Sequence, residues 1–276
     1  MKPGPFDYVR PTDVAEACAA LAQDSVTTAA IAGGQSLVPM LNLRVAMVDL
    51  LVDISRLDAL KATRETPEAI EIGALTTHAA IEDGKIPDAF NGLMRRVAAG
   101  ISYRAVRHHG TIGGSVALAD PAADWPACLV ALGAEVRIAG RAGLRREPVT
   151  DFVRDAYATS LAAGEIVLEF ILPRPDATLR WGFVKMSRKS GAFADSIACV
   201  VAYGEGGPVT VVLGAAASRP CRLPTVAAHL RAGRVAEEGL RQAIAQDLAT
   251  QVRDADAYQA RLHTASVLRA VREMQA

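Results

Sequence analysis

The sequence predicts an α+β fold, and three observations carry that prediction. Over the first third of the chain, helix-periodic segments alternate with short strand-like runs. Beyond Arg174, three strand-like runs follow one another, and segments with leucine and alanine at helical spacing close the chain. Two glycine-bearing stretches, "AIAGGQSLVPMLNLR" from Ala30 to Arg44 and "HHGTIGGSVALADPAAD" from His108 to Asp124, break the pattern with bare backbone.

In chain order, "TDVAEACAALAQD" has alanine and leucine at helical spacing behind Thr12 as N-cap, with Glu16 nearby. "TTAAIAGG" reads as a short buried strand, and "VDLLVDISRL" and "AIEIGALTT" as further strands bounded by turn signals. "NGLMRRVAAGIS", from Asn91 to Ser102, is helical, and a second helix runs from about Asp124 to Leu132 before the strand in "GAEVRIAG". "EIVLEFILP" is an alternating strand stopped by Pro173, and "PRPDAT" reads as a linker. We therefore place a domain boundary near Arg174, giving regions 1–174 and 175–276. In the second region "RWGFVKMSRKS", "FADSIACVVAY" and "PVTVVLGAAAS" predict a three-stranded antiparallel meander turning at "GEGG". "TVAAHLRAG", "EEGLRQAIAQDLATQ" and "AYQARLHTASVLRAVREM" predict the helices after it, with Gly233 as a C-cap.

A chain of 276 residues is long enough for two or three subdomains around substantial cores. Lys plus Arg balance Asp plus Glu at 30 each, so the basic footprint of a nucleic-acid partner is missing. The start, "MKPGPFDYVRP", lacks the apolar block of a secretory signal, and no run approaches the ~18 apolar residues of a membrane helix. The chain is read as cytoplasmic. Cys18, Cys128, Cys199 and Cys221 are scattered without a CxxC, so neither zinc nor iron–sulfur spacing occurs and buried thiols are expected.

A single Gly-Gly pair needs no more than a tight turn. Two such loops, each opening on a strand-like segment and followed by hydroxyl residues, also fit backbone N–H groups turned toward an anion, with a diphosphate as the natural occupant. Neither loop is a G-x-G-x-x-G opening a βαβ helix, nor a P-loop, so another nucleotide architecture is required. His108 and His109 lack a partner at metal spacing and read as loop histidines. There is no Ser/His/Asp order or nucleophile elbow, and no catalytic or metal-ligating residue is assigned.

"AGGQSLVPMLNLR", "IGALTTHAAIE", "RHHGTIGGSVALADPAAD" and "EIVLEFILP" resemble, in order and spacing, the FAD-binding medium subunit of molybdenum hydroxylases of the carbon monoxide dehydrogenase and xanthine dehydrogenase type. The resemblance runs from "FDYVRPTDVAEA" to "GAAASRPCRLPTVAAHL". It implies a two-subdomain FAD-binding region of the vanillyl-alcohol oxidase (PCMH) type followed by a small α+β C-terminal domain. By position it implies that Ala32, Gly33, Gly34, Gln35, Ser36 and Leu37 flank the FAD diphosphate on one side. Gly110, Thr111, Ile112, Gly113, Gly114 and Ser115 flank it on the other, and Thr77 and Val167 complete the cofactor-binding set. Asp124 matches an acidic residue that hydrogen-bonds ribityl or ribose hydroxyls, Lys185 a lysine near the flavin ring, and Phe193 a side chain over it. Plainer alternatives stand beside these: Asp124 as a helix N-cap, Lys185 as a solvated strand lysine, Phe193 as core. Where the family usually has asparagines, this chain has Ser115 and Leu118, which implies fewer polar contacts to the cofactor.

The implied function is electron transfer through one non-covalent FAD. Iron–sulfur clusters of a small [2Fe-2S] subunit supply electrons, a large molybdopterin-binding subunit oxidises the substrate, and an external acceptor receives the electrons, in a dimer of heterotrimers. A stand-alone FAD oxidoreductase of the same fold and a flavin-free scaffold subunit are the alternatives.

Overall fold

The computed structural model describes residues 2–88, 90–252 and 255–276. The chain opens with β1 (Asp7–Val9), α1 (Val14–Leu21), β2 (Thr28–Ile31), α2 (Leu37–Asn42) and β3 (Leu50–Asp53). The three strands form a parallel sheet in the order β1-β3-β2. The N-cap of α1 is Asp13, one residue later than expected: its carboxylate accepts the Glu16 amide at 2.8 Å. Glu16 in turn accepts from the Thr12 amide and hydroxyl, so Thr12 is tied to the helix without capping it. Central β3 is buried throughout, whereas β2 is half-exposed rather than buried, because it is an edge strand and its residues border a cavity.

Next come β4 (Thr63–Glu65), β5 (Ala69–Gly73), the short helices α3 (His78–Glu82), α4 (Leu93–Ala99), α5 (Arg104–Arg107) and α6 (Ile112–Leu118), and then α7 (Asp124–Ala131). They are followed by β6 (Glu135–Gly140), β7 (Gly143–Pro148), α8 (Val149–Phe152), a ribbon of β8 (Val153–Asp155) with β9 (Ala158–Thr159), and β10 (Ile166–Pro173). Strands β4, β5, β10, β6 and β7 make one antiparallel sheet in that order. The β10–β6 register shifts between Val167 and Glu169, a bulge that breaks the simple alternation read in "EIVLEFILP".

The third sheet holds β11 (Leu179–Met186), β12 (Ser196–Tyr203), β13 (Val209–Gly214) and β14 (Cys221–Arg222), covered by α9 (Pro224–Arg231), α10 (Glu237–Gln251) and α11 (Ala257–Gln275). The expected three-stranded meander is therefore extended by a fourth strand. At two residues, β14 is too short to carry a periodic signal. In β12, Ile197, Cys199 and Val201 enter one core while Ala198, Val200 and Ala202 enter another, so a strand buried on both faces reads as one apolar run. The first of those cores also takes in Ile70 and Phe170 of the five-stranded sheet and all the apolar residues of α7. Helix α7 is buried along its whole length, its first residue, Asp124, included.

Candidate cofactor site

A cavity of about 490 Å³ opens between the β2–α2 loop, the turn into α6, the start of α7, β10, β11 and the segment at 191–193. The two glycine loops meet there. A Cβ on Gly33 would stand 1.9 Å from the carbonyl oxygen of His109, so the loops are in backbone contact and Gly33 is bare because the protein's own chain fills the space. Gly34 takes φ +68°, the left-handed region. Gly113 is equally tight: its amide donates to the Ala74 carbonyl at 2.9 Å, and a Cβ there would lie 2.5–2.9 Å from Ala74. Gly114 is different, with only the Thr111 hydroxyl, at 3.0 Å, close to where its Cβ would go.

The loops differ in what they offer a ligand. Among the described residues, the amides of Gly33, Gly34, Gln35 and Ser36 donate to no protein acceptor. In the second loop the amide of Ile112 donates to Thr76, Gly113 to Ala74, Gly114 to the Thr111 hydroxyl and Ser115 to the Thr111 carbonyl. Unspent backbone donors are thus concentrated in the first loop.

Asp124 is 4 % exposed. The N-cap of α7 is Ala123, so Asp124 does not cap the helix; its Oδ2 takes a 2.8 Å ion pair from Lys185 Nζ, which also donates to the Gly100 carbonyl at 3.2 Å. Oδ1 is buried with no protein partner. Burial pushes the Asp124 carboxyl pKa up, against the pull of the Lys185 charge. Lys185 is accordingly no solvated strand lysine, and Phe193, 68 % exposed at the cavity mouth, is no core residue.

Of the residues singled out from sequence, Ala32, Gly33, Gly34, Gln35, Ser36 and Leu37 line the cavity, as do Gly110, Thr111, Gly113, Gly114 and Ser115. So do Asp124, Val167, Lys185 and Phe193. Two do not. Thr77 spends its hydroxyl on capping α3 and pairs with Thr111 through a β-bridge, and Ile112 turns its side chain into the core. Both shape the second loop from behind. Leu118 borders the cavity, so the apolar residue there is part of its wall. Among the described residues no group of His, Cys, Asp or Glu is placed to hold a metal ion, and no helix is long and apolar enough to cross a membrane.

Sequence reasoning missed His78, which stands in "TTHAAIE" directly after a capping threonine. It is buried on the cavity wall, and its Nδ1 accepts from Trp125 Nε1 at 3.0 Å. Nearby, Arg107 pairs with Glu82 and donates to the carbonyls of Ile101 and Ser102, bracing the segment that leads into the second loop. Burial, helped by the Arg107 charge, lowers the His78 pKa from 6.5 to about 4. An unfolded chain protonates this ring near its ordinary value while the folded chain resists. Its contribution is therefore complete above pH 6.5 and declines as pH falls toward 4, by about 3 kcal/mol at the limit. We expect the melting temperature of His78→Gln to fall less steeply than that of the wild type between pH 7 and 4.5; parallel curves would refute the assignment.

Comparison with known proteins assigns the chain to a family. The family model described as the FAD binding domain in molybdopterin dehydrogenase matches residues 4–175. The 6-hydroxypseudooxynicotine dehydrogenase complex subunit alpha of Paenarthrobacter nicotinovorans is 36% identical over 228 residues, which is 80% of this chain and 77% of that protein. The carbon monoxide dehydrogenase medium chain of Afipia carboxidovorans is 34% identical over 215 residues, 78% of this chain and 75% of its own length. Among solved structures, the carbon monoxide dehydrogenase of Hydrogenophaga pseudoflava superposes with a TM-score of 0.93 at 30% identity, covering 100% of this chain and 99% of the matched one. With a buried carboxylate and unspent loop amides among the residues that line a single cavity, and with this match across most of its length, the chain belongs to the family of FAD-binding medium subunits of molybdenum hydroxylases.

Proposed function

We propose that the cavity holds the FAD and that the chain carries electrons from a small [2Fe-2S] subunit to an external acceptor. A large molybdopterin-binding subunit would perform the substrate chemistry, the whole being a cytoplasmic dimer of heterotrimers. The observation that carries this reading is the unpartnered Oδ1 of Asp124 on the cavity wall. A carboxylate oxygen buried without a donor is costly, and a ribityl or ribose hydroxyl would satisfy it. We read 1–174 as the PCMH-type FAD-binding region, with its two subdomains dividing near 56–60, and 175–276 as the C-terminal domain.

Bound there, the flavin supplies reversible two-electron chemistry that can be loaded one electron at a time. The chain's task is to hold and orient it. The free amides of Gly33 to Ser36 would hold the diphosphate, and Thr111 to Ser115 would close its other side, offering the Thr111 amide, which also lacks a protein acceptor, and the Ser115 hydroxyl. Val167 and Leu118 give apolar walls, and Phe193 covers the mouth beside the ring. Lys185 bears less on the ring than its charge alone suggests, because Asp124 already neutralises it at 2.8 Å.

The test is the flavin itself. The chain purified with its partners should carry one FAD per copy, released into the supernatant on acid precipitation, alongside molybdenum and iron. Flavin remaining with the precipitate would refute non-covalent binding. A complex with molybdenum and iron but no flavin would make this chain a scaffold, and FAD on the chain without either metal would favour the stand-alone enzyme.

A further inference from the structure

Resting on that FAD reading, we infer that His78 is a further binding residue, whose Nε2–H donates a hydrogen bond to an acceptor oxygen of the flavin nucleotide lying against the Gly110–Thr111 turn. Trp125 fixes the tautomer of His78. An indole N–H can only donate, so the Trp125 contact at 3.0 Å requires a lone pair on His78 Nδ1, and the proton of the neutral ring sits on Nε2. That edge lies against Gly110 at the cavity wall. A Cβ built on Gly110, itself on the cavity wall, would stand 2.9 Å from both Nε2 and Cδ2.

Among the described residues no protein acceptor takes the Nε2 proton, although the residue is only 5 % exposed. A donor held in a fixed direction at a cavity wall, and left without a protein partner, is completed by what the cavity binds. The ring is locked from three sides. Trp125 fixes its tautomer, the His78 amide donates to the Gly110 carbonyl at 2.9 Å, and its position at the start of α3 sets its approach. Low dielectric and the nearby Arg107 keep it uncharged, so it offers direction rather than a full charge.

The experiment uses the partner complex, stripped of flavin and titrated with FAD while flavin fluorescence is followed. His78→Phe keeps a ring of similar size without the donor and should weaken FAD binding about three- to tenfold, the worth of one neutral hydrogen bond. His78→Gln, whose amide can accept from Trp125 and donate toward the same region, should recover most of that loss; because His78→Phe also leaves the buried Trp125 N–H without an acceptor, the flavin-free forms are melted separately and only the loss of FAD affinity is compared. Should His78→Phe fail to assemble, His78→Leu makes the same comparison. Wild-type affinity in the variant without the donor, or equal loss in both, overturns the inference and leaves the FAD reading intact; a wild-type complex that binds no FAD overturns both. Weakened binding with an unchanged visible spectrum of the bound flavin identifies a diphosphate oxygen as acceptor, and a shifted spectrum a ring carbonyl.

Discussion

Gly33→Ala is expected to disable the site before any ligand is considered. Its Cβ would lie 1.9 Å from a backbone oxygen, and neither the His109 carbonyl nor the β2–α2 loop can give way without separating the two halves of the cavity. We expect a loss of at least about 3 kcal/mol, and a melting temperature lower by roughly 10 °C, with or without FAD. Gly114→Ala is the contrast. Only the Thr111 hydroxyl is close, so the flavin-free form should melt near wild type while FAD affinity falls. The discriminating measurement is thermal denaturation of both variants with and without FAD. Wild-type stability for Gly33→Ala would mean that the loops do not touch.

Lys185→Met carries the second large effect. It leaves the Asp124 carboxylate buried, already short of a partner on Oδ1, and now without its counter-ion on Oδ2. Breaking a buried pair from one side costs about 3–5 kcal/mol, more than removing both partners together. The double change Asp124→Leu with Lys185→Met should therefore regain much of the stability lost by Lys185→Met alone. It should not regain FAD, because the carboxylate on the cavity wall is gone. Calorimetry gives the first quantity and flavin content the second. A Lys185→Met protein as stable as wild type would show that Asp124 takes up a proton at little cost. With Asp124 still ionised, Lys185→Met removes a full unit of positive charge from the site, so the flavin's two-electron potential should fall; an unchanged potential would mean that Asp124 takes up a proton.

Much of this was legible in the chain, for identifiable reasons. Elements such as α7 and β12 declare themselves as unbroken apolar runs bounded by turn signals, and α11 by leucine and alanine at helical spacing. Strands of two or three residues, such as β1, β8, β9 and β14, have too little sequence to carry a period, and only their neighbours define them. The glycine loops were recognisable as special, but the cause was hidden: Gly33 and Gly113 answer to backbone from distant segments, which no local pattern records. The same limit explains the other gaps. Nothing near Asp124 in sequence reveals that Lys185 reaches it, and nothing in "TTHAAIE" reveals Trp125 above the histidine. The resemblance carries Ile112 into the site by position, whereas the start of α6 turns its side chain into the core.

The contact between Gly33 and His109 also bears on when the site can exist. Its walls are drawn from segments between Ala29 and Phe193, and the ion pair on Asp124 needs β11 in place. During synthesis, neither glycine loop has its final shape until the other has emerged and docked, and the cavity stays open on one side until Lys185 and Phe193 leave the ribosome. Such non-local closure is slow compared with forming the local helices. Flavin capture is then a late step, taken by a chain already folded through its third sheet. A truncated product ending at Arg174 would keep both glycine loops, yet lack the lysine and the phenylalanine that complete the chamber.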